Sequence, residues 1–83
     1  MTLEILYFAW LRERVGVPRE TVRSEATTVA QLMDELAARD DWHAHAFADR
    51  TAIRCALDQQ LVTPDTPIGA AREVAFFPPM TGG

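Results

Sequence analysis

Thr28-Val29-Ala30-Gln31-Leu32-Met33-Asp34-Glu35-Leu36 is the stretch around which the rest of the chain can be arranged. Thr28 and Gln31 have the spacing of a capping box, in which the threonine accepts a bond from the first helical turn and the glutamine reaches back. Val29, Leu32, Met33 and Leu36 recur at helical spacing on one face, while Asp34, Glu35 and Arg39 point away. The pattern predicts an amphipathic helix ending near residues 39–41, with Asp40-Asp41 closing it rather than performing acid–base chemistry.

Strand signals lie on both sides of this helix. Residues 3–8 are apolar on both parities: Leu3, Ile5 and Tyr7 on one face, Leu6 and Phe8 on the other. Residues 9–15 can make a helical turn, which Gly16 closes and Pro18 prevents from continuing. Glu20-Thr21-Val22-Arg23 reads as a short strand returning beside the first. After the helix, residues 42–49 suit a loop with a helical turn. Ile53, Cys55 and Leu57 then alternate with Arg54, Ala56 and Asp58, as in a half-buried strand. Asp58-Gln59-Gln60 turns the chain into a short strand at Leu61-Val62. Pro64, Pro67 and Gly69 mark an irregular connection. Residues 74–77 form a last strand, which Pro78 and Pro79 terminate because neither can donate to a ladder.

The order is strand, strand, helix, strand, short strand, strand. One helix on one face of a sheet gives two layers around one core, an α+β, β-grasp arrangement. Eighty-three residues make one domain, with residues 77–83 as an extended tail. At this size only about 60% of the unfolded surface is buried, so packing must be good or a partner must help. A single helix also leaves Phe8, Leu61 and Phe77 uncovered on the far side of the sheet. They are expected to form an exposed apolar patch at the root of the tail and to mark a protein interface. On that reading Phe77→Asp abolishes complex formation without unfolding the domain.

Composition excludes several classes. The chain is 48% apolar, carries a net charge of −4, and all eight of its basic residues are Arg, so no nucleic-acid footprint is present. Without lysine, no side chain can accept an isopeptide bond, which disfavours self-linked chains. One cysteine, Cys55, can form neither an internal disulfide nor a metal cluster and suits a reducing compartment. The acid in Met1-Thr2-Leu3-Glu4 is unlike a signal peptide, and the apolar run at residues 5–11 is far too short to span a membrane. A soluble, cytoplasmic protein without nucleic-acid or membrane partners is expected.

Other candidate residues have plainer readings. Cys55, mid-strand between Ile53 and Leu57, reads as a buried structural thiol. His43 and His45 read as part of a solvated loop, and Trp10 and Trp42 as packing residues. No nucleophile–base pair, phosphate loop or zinc spacing occurs, so no independent catalytic site and no bound cofactor or metal are expected.

The chain ends Met80-Thr81-Gly82-Gly83. Two glycines can thread a narrow channel and leave the terminal carbonyl open to attack. An α-carboxylate, with a pKa of roughly 3.5, is unreactive at neutral pH. As an acyl-adenylate it becomes an electrophile, from which a sulfide donor can leave a thiocarboxylate. The working group is therefore expected to be Gly83 itself.

Taken whole, Glu73-Val74-Ala75-Phe76-Phe77-Pro78-Pro79-Met80-Thr81-Gly82-Gly83 resembles the end of the molybdopterin synthase small subunits, the MoaD-type sulfur carriers. The opening Ile5-Leu6-Tyr7-Phe8-Ala9-Trp10-Leu11-Arg12-Glu13 and the segment Leu57-Asp58-Gln59-Gln60-Leu61-Val62 resemble that family too. One departure is Gly69-Ala70-Ala71-Arg72-Glu73, where an acidic Asp-Gly-Asp-Glu turn is common. The resemblance implies a ubiquitin-like β-grasp fold in a non-catalytic sulfur-donor subunit. A ubiquitin-activating-like adenylyltransferase would use ATP to adenylate Gly83, and a sulfurtransferase would supply sulfur. The thiocarboxylate would then enter the large catalytic subunit, in a heterotetramer of two small and two large subunits. There it would donate sulfur to cyclic pyranopterin monophosphate, building the dithiolene of the molybdenum cofactor. Pro78, Pro79, Met80, Thr81 and Gly82 would thread the partner's active site, and Phe8, Leu61 and Phe77 would form the contact surface. Alternatives on the same fold are a carrier for thiamine or cysteine synthesis, a ubiquitin-like protein modifier, and an interaction module with an inert tail.

Overall fold

A computed structural model describes residues 1–79. Its strands are β1 (Thr2–Tyr7), β2 (Arg19–Arg23), β3 (Arg54–Leu57), β4 (Gln60–Val62) and β5 (Glu73–Phe77). Helices α1 (Ala9–Val15), α2 (Val29–Ala37) and α3 (Asp41–Ala46) lie between them, with a 3₁₀ turn at Arg50–Ala52. The five strands form one sheet in the order β2-β1-β5-β3-β4. β1 and β5 run parallel at its centre, and the other pairings are antiparallel. This is the β-grasp arrangement that the order of elements predicts.

The alternation read from the sequence sets the two faces. Leu3, Ile5 and Tyr7 of β1, Val22 of β2, Cys55 and Leu57 of β3, and Val74 and Phe76 of β5 are all buried. Over them pack Val29, Leu32, Met33 and Leu36 of α2, Leu11 and Val15 of α1, and Ala46 of α3. Each fully buried side chain of this size contributes about 1.5–3 kcal/mol, so one face of the sheet carries nearly all the apolar stabilisation.

The start of α2 differs in one detail from a capping box. Thr28 Oγ1 accepts from the Gln31 N–H at 3.2 Å, as expected. The Gln31 side chain, however, accepts from the Thr27 N–H and hydroxyl, at 2.8 and 2.7 Å, one residue upstream of the cap. At the other end α2 stops at Ala37, short of the expected 39–41. Asp40 does not close it but caps the next helix, its carboxylate accepting from the His43 N–H at 2.8 Å. Residues 42–49, expected as a loop with a helical turn, thus hold that turn as most of α3, with residues 47–49 following it.

That helix corrects two further readings. His43 is not in a solvated loop: it is 5% exposed and faces the core with Ala46 and Phe47. Trp42 is not a packing residue, being 68% exposed. Trp10 does pack, partly buried against the core with the Arg14 guanidinium 4.5 Å from its ring centroid. His45 is exposed and Cys55 is buried, both as expected.

Turn chemistry fixes the connections. Gly16, at φ +98°, closes α1 by donating to the Arg12 carbonyl at 2.8 Å. Asp58 and Gln59 both have positive φ, at 47° and 71°, forming the two-residue hairpin between β3 and β4. The Asp58 carboxylate then accepts from the backbone N–H groups of Arg72 and Glu73, each at 3.0 Å. This ties the hairpin to the entry of β5. In that entry Gly69, at φ +58°, takes the left-handed conformation, and the Ala71 N–H closes a turn on the Ile68 carbonyl at 3.1 Å.

Candidate functional site: an open apolar face at the root of the tail

With all three helices contributing to one side, no described element covers the other side of the sheet. Register lines up a single row across four strands there: Leu6 of β1 beside Ala75 of β5, Ala75 beside Ala56 of β3, and Ala56 beside Leu61 of β4. The two alanines form a low floor between taller walls. Phe8, whose N–H donates to the Phe76 carbonyl at 3.1 Å, stands next to Phe77 at one end, followed by Pro78 and Pro79. Gln59 and Glu73 supply a polar rim. The result is an open, mostly apolar groove of about 810 Å³.

The three residues expected to be uncovered converge on this groove. Leu61 is 67% and Phe8 47% exposed, and Phe77 is half-buried. Phe77 belongs to β5, paired across from Arg54, so the chain leaves the sheet at Pro78 rather than at 77. Leu6, Ala56 and Ala75 were on the right parity in the sequence but were not assigned to the site. Alanine carries no signal until register places it between leucines. Met80, Thr81, Gly82 and Gly83 lie outside the described residues.

Ala9 follows Phe8 with φ +53°, a conformation that costs a non-glycine residue of order 1–2 kcal/mol. The bend turns the chain from β1 directly into α1, while Phe8 keeps extended dihedrals at its N-cap. Phe8 is thereby held at the sheet's open face.

On the covered side lies a polar cluster that sequence reasoning missed. His43 Nε2 is 2.7 Å from Glu20 Oε2, and His43 Nδ1 is 2.8 Å from Asp40 Oδ1. The Tyr7 hydroxyl donates to the same Glu20 oxygen at 2.7 Å. Burial works against the ionised form of Glu20. Bonds from His43 and Tyr7, with the charges of His43 and Arg39, outweigh it and hold the carboxyl below its usual range. Asp40 is lowered as well, by its bonds from the His43 backbone and ring. Burial, then the bond to Glu20, raises the Tyr7 phenol. Tyr7 also stacks on Phe76, with ring centroids 6.3 Å apart, so the cluster is mechanically continuous with the strand that ends at the groove.

Among the described residues, no three His, Cys, Asp or Glu side chains are grouped to hold a metal ion, and no helix is long and apolar enough to cross a membrane. Burial pushes the Cys55 thiol up, and its Sγ donates to the Val62 carbonyl at 3.4 Å.

Comparison with known proteins supplies the family. The molybdopterin synthase sulfur carrier subunit of Escherichia coli K12 is 41% identical over 81 residues, covering 98% of this chain and 99% of the relative. The crystal structure of SAMP1 from Haloferax volcanii matches with a TM-score of 0.74 at 25% identity, covering 100% of both chains. A chain in the complex of subunits 1 and 2 of the molybdopterin-converting factor from Helicobacter pylori 26695 matches with a TM-score of 0.65 over 100% of both chains. At 19% identity, this is a likeness of fold. The pattern of the ThiS family matches residues 5–83, and the chain belongs to that family.

Proposed function

We propose that this chain is the sulfur-donor subunit of a molybdopterin synthase, with the Gly83 carboxylate as the group that carries sulfur. The observation that carries the reading is the position of the groove. An uncovered apolar surface lies against Phe77, Pro78 and Pro79, where the chain departs towards Gly82-Gly83. A partner seated there would receive the tail at a fixed point of entry. The full-length likeness to a molybdopterin synthase sulfur carrier subunit supports this choice over thiamine or cysteine synthesis.

The chemistry follows from the carboxylate. Its oxygen attacks the α-phosphorus of ATP on the adenylyltransferase, releasing pyrophosphate and leaving a glycyl-adenylate. A hydrosulfide equivalent from the sulfurtransferase attacks the carbonyl carbon, AMP leaves, and a thiocarboxylate remains. In the large subunit that sulfur is delivered to cyclic pyranopterin monophosphate. Two carriers serve each product, because a dithiolene needs two sulfurs. Nothing in this cycle asks the carrier's own side chains for acid–base chemistry.

The tail's composition suits the task. Fixing a residue's backbone costs roughly 1–2 kcal/mol, and Pro78 and Pro79 reduce that cost by restricting φ where the tail begins. Gly82→Val should fold as the parent does and lose activation or transfer, because a branched side chain would widen the segment beside the reacting carbonyl. Turnover of that variant at the parental rate would refute the steric reading.

The direct test is intact mass spectrometry after incubation with the activating enzyme, ATP and a sulfur source. A mass gain corresponding to one oxygen replaced by sulfur, localised to Gly83, is expected. An unchanged mass, with enzymes proven on another carrier, would return the chain to the modifier or inert-tail readings. Covalent attachment to other proteins in cell extracts would favour the modifier.

A further inference from the structure

His43 is 5% exposed, yet both of its ring nitrogens lie within hydrogen-bond distance of carboxylate oxygens. Nε2 is 2.7 Å from Glu20 Oε2, and Nδ1 is 2.8 Å from Asp40 Oδ1. We infer that His43 is held as an imidazolium, whose two ring N–H groups bridge β2 to the start of α3, so that a single proton latches α3 to the sheet.

Donors and acceptors must balance. A neutral imidazole has one N–H and one lone pair, whereas an ionised carboxylate only accepts. A neutral ring would therefore set a lone pair against a carboxylate at one of its two ends. A proton on either carboxyl would remove that clash, but both oxygens already serve other donors. Glu20 Oε2 accepts from the Tyr7 hydroxyl at 2.7 Å, and Asp40 Oδ1 accepts from the His43 backbone N–H at 2.8 Å. The missing hydrogen belongs to the ring.

Charge gives the same answer. The ring faces Tyr7 from β1, Glu20 from β2, and Asp40 from the turn after α2; Arg39, from that turn, lies 3.9 Å from Glu20 Oε1. With an imidazolium, two cations meet two carboxylates and the cluster is neutral. With a neutral ring, an uncompensated negative charge would press against the core, where an unpaired charge is costly. Other charges on the neighbouring elements are engaged elsewhere. Arg14 of α1 lies over Trp10, and Arg19 of β2 bonds to Glu4 at 2.6 Å. Asp34 of α2 pairs with Arg50 at 2.6 Å, and Glu35 accepts from the Ser24 hydroxyl at 2.5 Å. Arg12 and Glu13 of α1, Arg23 of β2, and Asp41 and His45 of α3 itself are exposed.

The proton matters because α3 has little else to hold it. Its other buried side chain is Ala46, with Phe47 at its C-cap. Loss of the proton turns one of the two bonds into a repulsion, so that either Glu20 or Asp40 must swing away and the start of α3 parts from β2. Tyr7 shares the Glu20 oxygen and stacks on Phe76 of β5. The latch therefore fastens on the strand that leads into the tail.

Ring protonation can be read directly in the full chain labelled with nitrogen-15, from correlations between the carbon-bound ring hydrogens and the ring nitrogens. At about pH 7.5 an imidazole with the ordinary pKa of roughly 6.5 is mostly neutral. There His43 of the folded chain should show two N–H nitrogens, and the same chain unfolded in urea should show the pattern of a neutral ring. A lone-pair nitrogen at either position of folded His43 would overturn the inference. Asp40→Asn gives a second reading, because asparagine keeps the cap on α3 and removes only the charge. It should lower the urea midpoint of the parent, and lower it far less in a His43→Gln chain, where no cation is left to lose its partner. A midpoint that rises would mean that a clash between a lone pair and a carboxylate had been relieved. An equal loss in both backgrounds would mean that Asp40 acts on the helix alone. Either result would also overturn the inference. None of these readings depends on whether Gly83 carries sulfur, so the proposed function stands or falls separately.

Discussion

Leu61→Asp and Phe77→Asp should each weaken binding to the large subunit of the proposed synthase by at least about 100-fold while the domain stays folded. A large apolar side chain buried on association contributes about 1.5–3 kcal/mol, and an unpaired carboxylate in its place adds a desolvation cost. Since every 1.4 kcal/mol is tenfold, the sum reaches two decades or more in Kd. The free domain loses little, because Leu61 is 67% exposed and Phe77 sits on the uncovered face of the sheet. Calorimetric titration against the purified large subunit, alongside thermal melting, reads both quantities. Unfolded variants would mean that the groove is part of the core. Folded variants with parental affinity would mean that the partner docks elsewhere.

Glu20→Ala should have the opposite profile, a large loss of stability with the residues of the groove untouched. The substitution removes one oxygen that serves both His43 and Tyr7, and leaves a largely buried ring and hydroxyl short of a partner. Breaking such a pair from one side costs about 3–5 kcal/mol. At roughly 4–8 °C per kcal/mol for a domain of this size, the melting temperature should fall by more than about 10 °C. The pH dependence follows from the direction of the shifts. Glu20 and Asp40 both titrate lower folded than unfolded. Their contribution is therefore complete above the ordinary carboxylate range, near pH 4–5, and is lost as pH falls through the lowered values. The parent should lose stability on acidification in that window, and Glu20→Ala should show a flatter acid limb. A parallel acid limb in the variant would show that Glu20 is not the group responsible.

Much of the fold was legible because its signals were local. The α2 face at Val29, Leu32, Met33 and Leu36, the alternation in β1, β3 and β5, and the terminating prolines each announced themselves within a few residues. α3 was read only as a helical turn within a loop, because its inward positions are His43 and Ala46, with Phe47 at its C-cap, and only the last of these is strongly apolar. The aspartate that seemed to end one helix begins the next. The groove was half legible. Phe8, Leu61 and Phe77 stood out as apolar residues with nothing to cover them. Its floor depended on β1, β5, β3 and β4 lying side by side in one register, which no local pattern specifies. The Tyr7–Glu20–His43–Asp40 cluster joins β1, β2 and the segment around α3, so its members are apart in sequence and gave no warning.

The place of β5 in the sheet bears on how the molecule polices its own completeness. The strand latest in sequence is inserted between β1 and β3, not added at a margin. A fragment that stops short of it leaves the β1–β2 pair and the β3–β4 hairpin as two ribbons with no strand between them, neither of which can close the core alone. Folding must therefore wait for contacts distant along the chain, and truncated copies remain unfolded substrates for proteolysis. A chain broken within or before residues 73–77 would lose its tail and its apolar groove together. Such copies could not occupy a partner's binding site as blanks.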